Sequence, residues 1–180
     1  AEEPLANSGV RRMSVMENLA LRDYDRAPAA RGPWVSRRAM RRAAEALIAR
    51  YRIRTPGPDA PLETLSGGNV QRTVLARELS GEVRLLVAQN PCFGLDASAA
   101  AEIRGQIVEA RNGGAAILLI SEDLDEILQL SDRVLVMSGG RIVHETPGAQ
   151  ADRYEIGRHM ADDAAAEAAA RLAGKTGDAA

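Results

Sequence analysis

Cysteine is nearly missing from this 180-residue sequence: Cys92 stands alone. An internal disulfide is therefore excluded, and neither a CxxC pair nor a Cys/His zinc cluster can be drawn. Cys92 is most simply a small core or loop residue. Aromatic residues make up only 3% of the chain, so the interleaved aromatics that stack on nucleic-acid bases are lacking. Lysine occurs once, at Lys175. Positive charge is otherwise all arginine, which together with abundant alanine reads as a codon-composition bias. The longest apolar run, Ala115–Ile120, is far too short to cross a bilayer, and no charged-then-apolar leader opens the chain.

The rest is ordinary for a globular protein, with 46% hydrophobic and 27% charged residues, enough for one domain with a core. The net charge of −2 conceals an asymmetry: residues 1–54 carry 12 Arg against 6 acids, the remainder 11 basic residues against 19 acids. Arg37, Arg38, Arg41 and Arg42 are expected on the solvated face of an amphipathic helix.

Ser14 with Glu17 forms a capping box that predicts a short helix over 14–21 in an otherwise broken N-terminal stretch. Ser36 predicts a helix to about Tyr51, with Met40, Ala43, Ala44, Leu47, Ile48 and Tyr51 as its buried stripe. A helix after Gly68 runs to about Leu79, with Val70, Val74, Leu75 and Leu79 inward. Leu85–Ala88 reads as a buried strand, followed by a helix over 98–110, the strand Ala115–Ile120, a helix over Leu124–Leu130 and strands at Arg133–Met137 and Arg141–Val143. This alternation predicts an α/β domain with a largely parallel sheet. The Ala-rich residues 161–180 predict a frayed helix or disordered tail.

Leu65-Ser66-Gly67-Gly68-Asn69-Val70-Gln71 opens a helix. Two glycines, a helix dipole and a hydroxyl favour an anion such as phosphate there. Alone this is weak, because glycine turns feed helices in many folds without a ligand. The order of the segments C-terminal to it adds specificity: the strand ending at Gln89-Asn90-Pro91, then Gly94-Leu95-Asp96, a helix, Ser121-Glu122, and Ser131-Asp132-Arg133.

This series resembles the ATP-binding-cassette (ABC) ATPases over about residues 1–160. In those terms Leu65–Gln71 is similar to the signature motif, Leu85–Asn90 to the Walker B strand, Gly94–Asp96 to the D-loop and Ser121-Glu122 to the switch. Glu2-Glu3-Pro4 falls at the Q-loop position. Asn69, Glu17-Asn18-Leu19 and Leu124–Leu130 most resemble the C-terminal cassette of double-cassette subunits that power simple-sugar and nucleoside import. The resemblance implies a partial RecA-like parallel sheet with helices plus a helical signature subdomain. Its parts would be a Q-loop region over 1–13, the helical subdomain and signature helix over 14–80, the C-terminal part of the ATPase core over 81–160, and the tail. It implies ATP and Mg²⁺ as cofactors. The implied partners are an opposing cassette, membrane permease subunits and, indirectly, a substrate-binding protein. Location is expected at the cytoplasmic face of the bacterial inner membrane. No GxxxxGK[ST] loop occurs, so the chain is expected to be a fragment of a longer polypeptide whose Walker A loop precedes Ala1. Missing strands would leave an unpaired edge and exposed apolar surface.

Three departures bear on chemistry. Gln89 and Asn90 stand where the family has Asp-Glu; amides hold a hard cation weakly and cannot deprotonate water. Glu122 stands at the switch histidine and would repel a γ-phosphate. This cassette's own site is thus expected to be a poor hydrolase with no protein-held metal. Ser66, Gly67 and Gly68, with Asn69 and Gln71, would meet ATP held by the opposing cassette. Asp96 would bridge the cassettes, cap a helix, or both. Two other readings are a non-transport ABC protein on nucleic acid and an inert remnant. His144 is expected as a surface residue, His159 as isolated, and Trp34 as a packing anchor; Asp123, Asp125 and Glu126 serve a helix start without chemistry.

Overall fold

The computed structural model describes residues 8–32 and 34–160, with the side chain of Arg31 left out. Glu2, Lys175 and the tail 161–180 lie outside the described residues. The chain divides into two compact units, Ala1–Ile120 and Ser121–Ala180.

Among the described residues of the first unit the first helix is α1 (Val15–Ala20), whose capping box forms as expected: Glu17 N–H donates to Ser14 Oγ, and Ser14 N–H donates to the Glu17 carboxylate at 2.8 Å. Two-residue strands β1 (Ala30–Arg31) and β2 (Trp34–Val35) pair antiparallel. Trp34 is 79% exposed, so it anchors nothing here; a two-residue strand offers no second layer to cover it. Helix α2 (Arg37–Arg50) is capped by Ser36 and buries Ala39, Met40 and Ala44, while Ala43 faces solvent. Arg37 and Arg38 are exposed, and Arg37 and Arg41 pair with Glu17 and Asp59. The solvated basic face is as expected.

Helix α3 (Gly67–Glu78) departs from a one-sided stripe. It buries Asn69, Val70, Gln71, Arg72, Thr73, Leu75, Ala76 and Arg77, because two cores share it. Val70 and Ala76 join Val15, Met16, Leu19, Met40 and Leu62 of the helical layer. Leu75 joins Leu86 and Ala88 of β3 (Leu85–Gln89) and Ile103 and Ile107 of α4 (Ala97–Asn112). A helix packed on two sides must satisfy its polar groups internally. Arg72 therefore pairs with Glu102 at 2.8 Å, Arg77 donates to the Ser8 carbonyl at 2.8 Å, and Thr73 Oγ1 donates to the Asn69 carbonyl.

Strands β3 and β4 (Ala116–Ile120) pair parallel, Leu85 opposite Ala116 through Gln89 opposite Ile120. The expected fully buried strand is buried on one face only. Leu86 and Ala88 point to α4, whereas Leu85, Val87, Leu118 and Ile120 are each about half exposed or more. Two strands with one helical layer leave the second face open, which matches the expected exposed apolar surface.

In the second unit α5 (Leu124–Leu130) precedes β5 (Arg133–Ser138) and β6 (Arg141–Pro147). The expectation that the sheet is largely parallel fails for these strands: they form an antiparallel hairpin. Only Gly139 and Gly140 link them, both at positive φ (53° and 75°), and two residues close a primed hairpin turn but cannot make a parallel crossover. A helix over residues 153–160 follows, with Ile156 packed on Val134 and Val136.

Candidate functional site

The candidate site is built around the entry to α3. Ser66 takes an extended conformation as its N-cap, yet its hydroxyl makes no capping bond. Asn69 Nδ2 donates to Ser66 Oγ at 2.9 Å, and Asn69 Oδ1 accepts from the Arg54 backbone N–H at 2.8 Å and from Arg72 at 3.3 Å. Because a backbone N–H can only donate, the oxygen of the Asn69 amide must face Arg54 and its nitrogen must face Ser66. Ser66 thus receives a hydrogen bond and keeps its own proton to give. Ser66 and Gly67 are exposed and Gly68 half-buried. As first-turn residues, Gly67 and Gly68 have N–H groups without intrahelical acceptors. Together these make a face suited to an anion.

The two glycines differ in surroundings. A Cβ on Gly67 would meet nothing within 4 Å, whereas one on Gly68 would lie 3.4 Å from Leu95 Cδ2 and 3.9 Å from Ala99 Cβ. The signature segment therefore packs directly on the Gly94-Leu95-Asp96 turn. Gly94 holds that turn at φ 71°, a conformation glycine adopts without strain. Asp96 caps α4, its carboxylate accepting from Ala99 N–H at 2.9 Å. Gln71 is buried and donates to the Pro91 carbonyl at 2.5 Å, tying α3 to the loop after β3. Asn69 and Gln71, expected at the nucleotide, thus make internal bonds, and the donors left at the surface are the exposed Ser66 and Gly67 and the half-buried Gly68.

Gln89 ends β3 exposed, while Asn90 is buried with φ 44° and donates its N–H to the Ile120 carbonyl at 2.7 Å. Asparagine tolerates this left-handed backbone better than most residues. Glu122 is exposed in the second unit, beside the Asp123 whose carboxylate caps α5 by accepting from Asp125 and Glu126 N–H. A groove of about 420 Å³ lies between α3 and β3, lined by Gln71, Val74, Leu75, Glu78, Arg22 and the edge Leu85–Gln89. It does not include Ser66 or Asp96 and is separate from the anion-facing surface. Cys92 packs against the β3 core with its thiol 3.6 Å from the Ala100 carbonyl.

Sequence reasoning overlooked Arg72, which braces Asn69 and Glu102, because nothing in the spacing distinguishes it from a surface arginine. His159, expected to stand alone, stacks its ring on that of His144 with centroids 4.3 Å apart, an encounter that depends on tertiary packing.

The fold is that of an ATP-binding cassette. The dimeric bacterial ABC transporter cassette MJ0796 superposes with TM-score 0.65 at 19% identity, covering 79% of this chain and 60% of that one. The ABC transporter cassette MJ1267 gives 0.64 at 24% identity, covering 87% and 62%. No protein-family model matches the chain. By sequence the chain belongs to the ABC ATPases, and its relatives are ATP-binding proteins of sugar and nucleoside import. It is 41% identical over 169 residues to the glucose import ATP-binding protein TsgD13 of Haloferax volcanii, 92% of this chain and 31% of that protein. It is 44% identical over 124 residues to the arabinose import ATP-binding protein AraG of Ralstonia nicotianae (68% and 24%). With the guanosine import ATP-binding protein NupO of Bacillus subtilis it shares 35% over 152 residues (84% and 30%). The chain thus spans a third or less of the length of these relatives. No helix among the described residues is long and apolar enough to cross a membrane.

Proposed function

We propose that this chain is a segment of the C-terminal cassette of an importer's ATP-binding subunit, one serving simple sugars or nucleosides. In that reading it presents its signature to ATP held by an opposing cassette. The observation that carries this is the Asn69-to-Ser66 hydrogen bond. It orients an exposed hydroxyl whose proton remains available to a γ-phosphate oxygen, beside the free N–H groups of Gly67 and Gly68. Asn69 and Gln71 act as positioning residues, and Asp96 sets the start of α4 where the two cassettes would meet.

The cassette's own site suits hydrolysis poorly. Gln89 and Asn90 offer neutral amides where a carboxylate pair would hold Mg²⁺ and activate water, so these residues do not fit that ion. Glu122 adds negative charge at the switch position. Mg²⁺ is accordingly assigned to the opposing site. The subdomain of residues 14–62 would dock on permease subunits at the cytoplasmic face and relay closure to them, with a substrate-binding protein acting upstream. A nucleic-acid role is disfavoured by the basic face of α2, where Arg37 and Arg41 are already paired with acids.

The test is Ser66→Arg in the full-length subunit assembled with its permease. Turnover should fall at least tenfold while nucleotide binding to the opposing cassette persists. Wild-type turnover would defeat the proposal.

A further inference from the structure

The chain contains two histidines, and the fold stacks them on each other. His144 projects from β6, opposite Val136 of β5. Glu155 and His159 lie one turn apart on the helix over 153–160, the i,i+4 spacing that puts two ligands on one helical face. Ile156, 2% exposed, locks that helix onto Val134 and Val136, and Arg153 pairs with Asp125. The two imidazole planes are 9° from parallel with centroids 4.3 Å apart. One ligand atom from each of His144, Glu155 and His159 lies within 4.8 Å of the other two.

His144 Nε2 is buried and makes no hydrogen bond among the described residues; its nearest carboxylate oxygen, on Glu155, is 4.0 Å away. Buried polar nitrogens are ordinarily satisfied. A buried ring nitrogen without a hydrogen bond, beside a carboxylate and a second imidazole whose ligand atoms all lie within 4.8 Å of one another, is a donor set that an ion could gather.

We propose that His144, Glu155 and His159 form a binding site for a divalent transition-metal ion of the zinc class, separate from nucleotide chemistry. Two imidazoles and one carboxylate form a nitrogen-rich set that suits zinc-like ions, whereas Mg²⁺ and Ca²⁺ require oxygen ligands. Bonds of about 2.0–2.2 Å in a tetrahedral arrangement need ligand atoms roughly 3.4 Å apart, so the three side chains, within 4.8 Å now, would have to draw together and the two stacked rings turn out of parallel to engage one ion. Three protein ligands leave a fourth position for water or a further donor. The bound ion would clip β6 to the helix over 153–160 within the second unit.

The experiment uses the untagged chain carrying Cys92→Ser, titrated with Co²⁺ and followed by its visible ligand-field absorption, with Zn²⁺ as competitor. One ion per chain should bind saturably, displaced by Zn²⁺, and His144→Gln or His159→Gln should each weaken binding by about tenfold or more. Glu155→Gln should weaken it while leaving both imidazoles engaged. Imidazole ¹⁵N shifts of the parent chain provide a readout independent of variant folding: both rings should move together on adding Zn²⁺. Absence of saturable binding, binding unchanged in the histidine variants, or a shift in only one ring would overturn the site.

Discussion

Asn69 Nδ2 donates a hydrogen bond to Ser66 Oγ at 2.9 Å, three residues back across the mouth of α3. The same amide accepts from Arg54 and Arg72, so one side chain holds the signature turn, the loop after α2 and the brace to Glu102. Asn69→Asp separates these functions. The carboxylate retains both acceptor contacts, loses the donor to Ser66, and captures the serine proton. The fold should persist, and ATP turnover of the assembled subunit should fall at least tenfold, about 1.4 kcal/mol in activation free energy. Unchanged turnover would make Asn69 a purely structural residue.

Acid should weaken α1 through Glu17. The Ser14 backbone N–H, then its hydroxyl, hold the Glu17 carboxyl below its ordinary value of 4.5, with Arg37 assisting. A lowered folded pKa means that the ionised form favours the native state. This contribution is fully present above the unfolded value and is lost as pH falls through the folded one. Glu17→Gln should therefore flatten the acid limb of a urea-midpoint profile. Ser14→Ala should cost about 1 kcal/mol at neutral pH.

Gly148 has no room for a side chain. A Cβ there would collide with the Ser131 carbonyl, while its N–H donates to the Asp132 carbonyl at 2.8 Å. Gly148→Ala should destabilise the second unit by about 1–3 kcal/mol, the usual cost of overpacking. Faster amide exchange in β5 and β6, with β3 and β4 unaffected, would be the signature.

The open face of the β3–β4 sheet should drive self-association of the isolated chain. Val87 and Leu118 are register partners there, 57% and 49% exposed. Val87→Thr with Leu118→Thr should raise the monomer fraction in light scattering, because apolar area is removed without touching the buried face. A wild-type chain that is already monomeric at high concentration would contradict this.

Much of the local structure is legible in the sequence. Ser14, Ser36 and Asp96 announce their helices because capping chemistry acts over three residues, and the Gly139-Gly140 turn is equally visible. A two-residue link cannot cross over, so it overrides the α/β alternation that suggests a parallel pair there. The one-sided burial of β3 is not legible, since an apolar run looks the same whether one or both faces are covered.

Local order and motif succession were thus determined by the sequence alone: helix starts, strand positions, the exposed Ser66-Gly67-Gly68 entry and the amides at Gln89 and Asn90. These depend on interactions between residues a few positions apart. Tertiary structure alone decided that α3 is buried on both sides, that Asn69 accepts from the Arg54 backbone, and that His144 meets His159. Such pairings depend on how separate elements pack, and no spacing along the chain encodes which faces will touch.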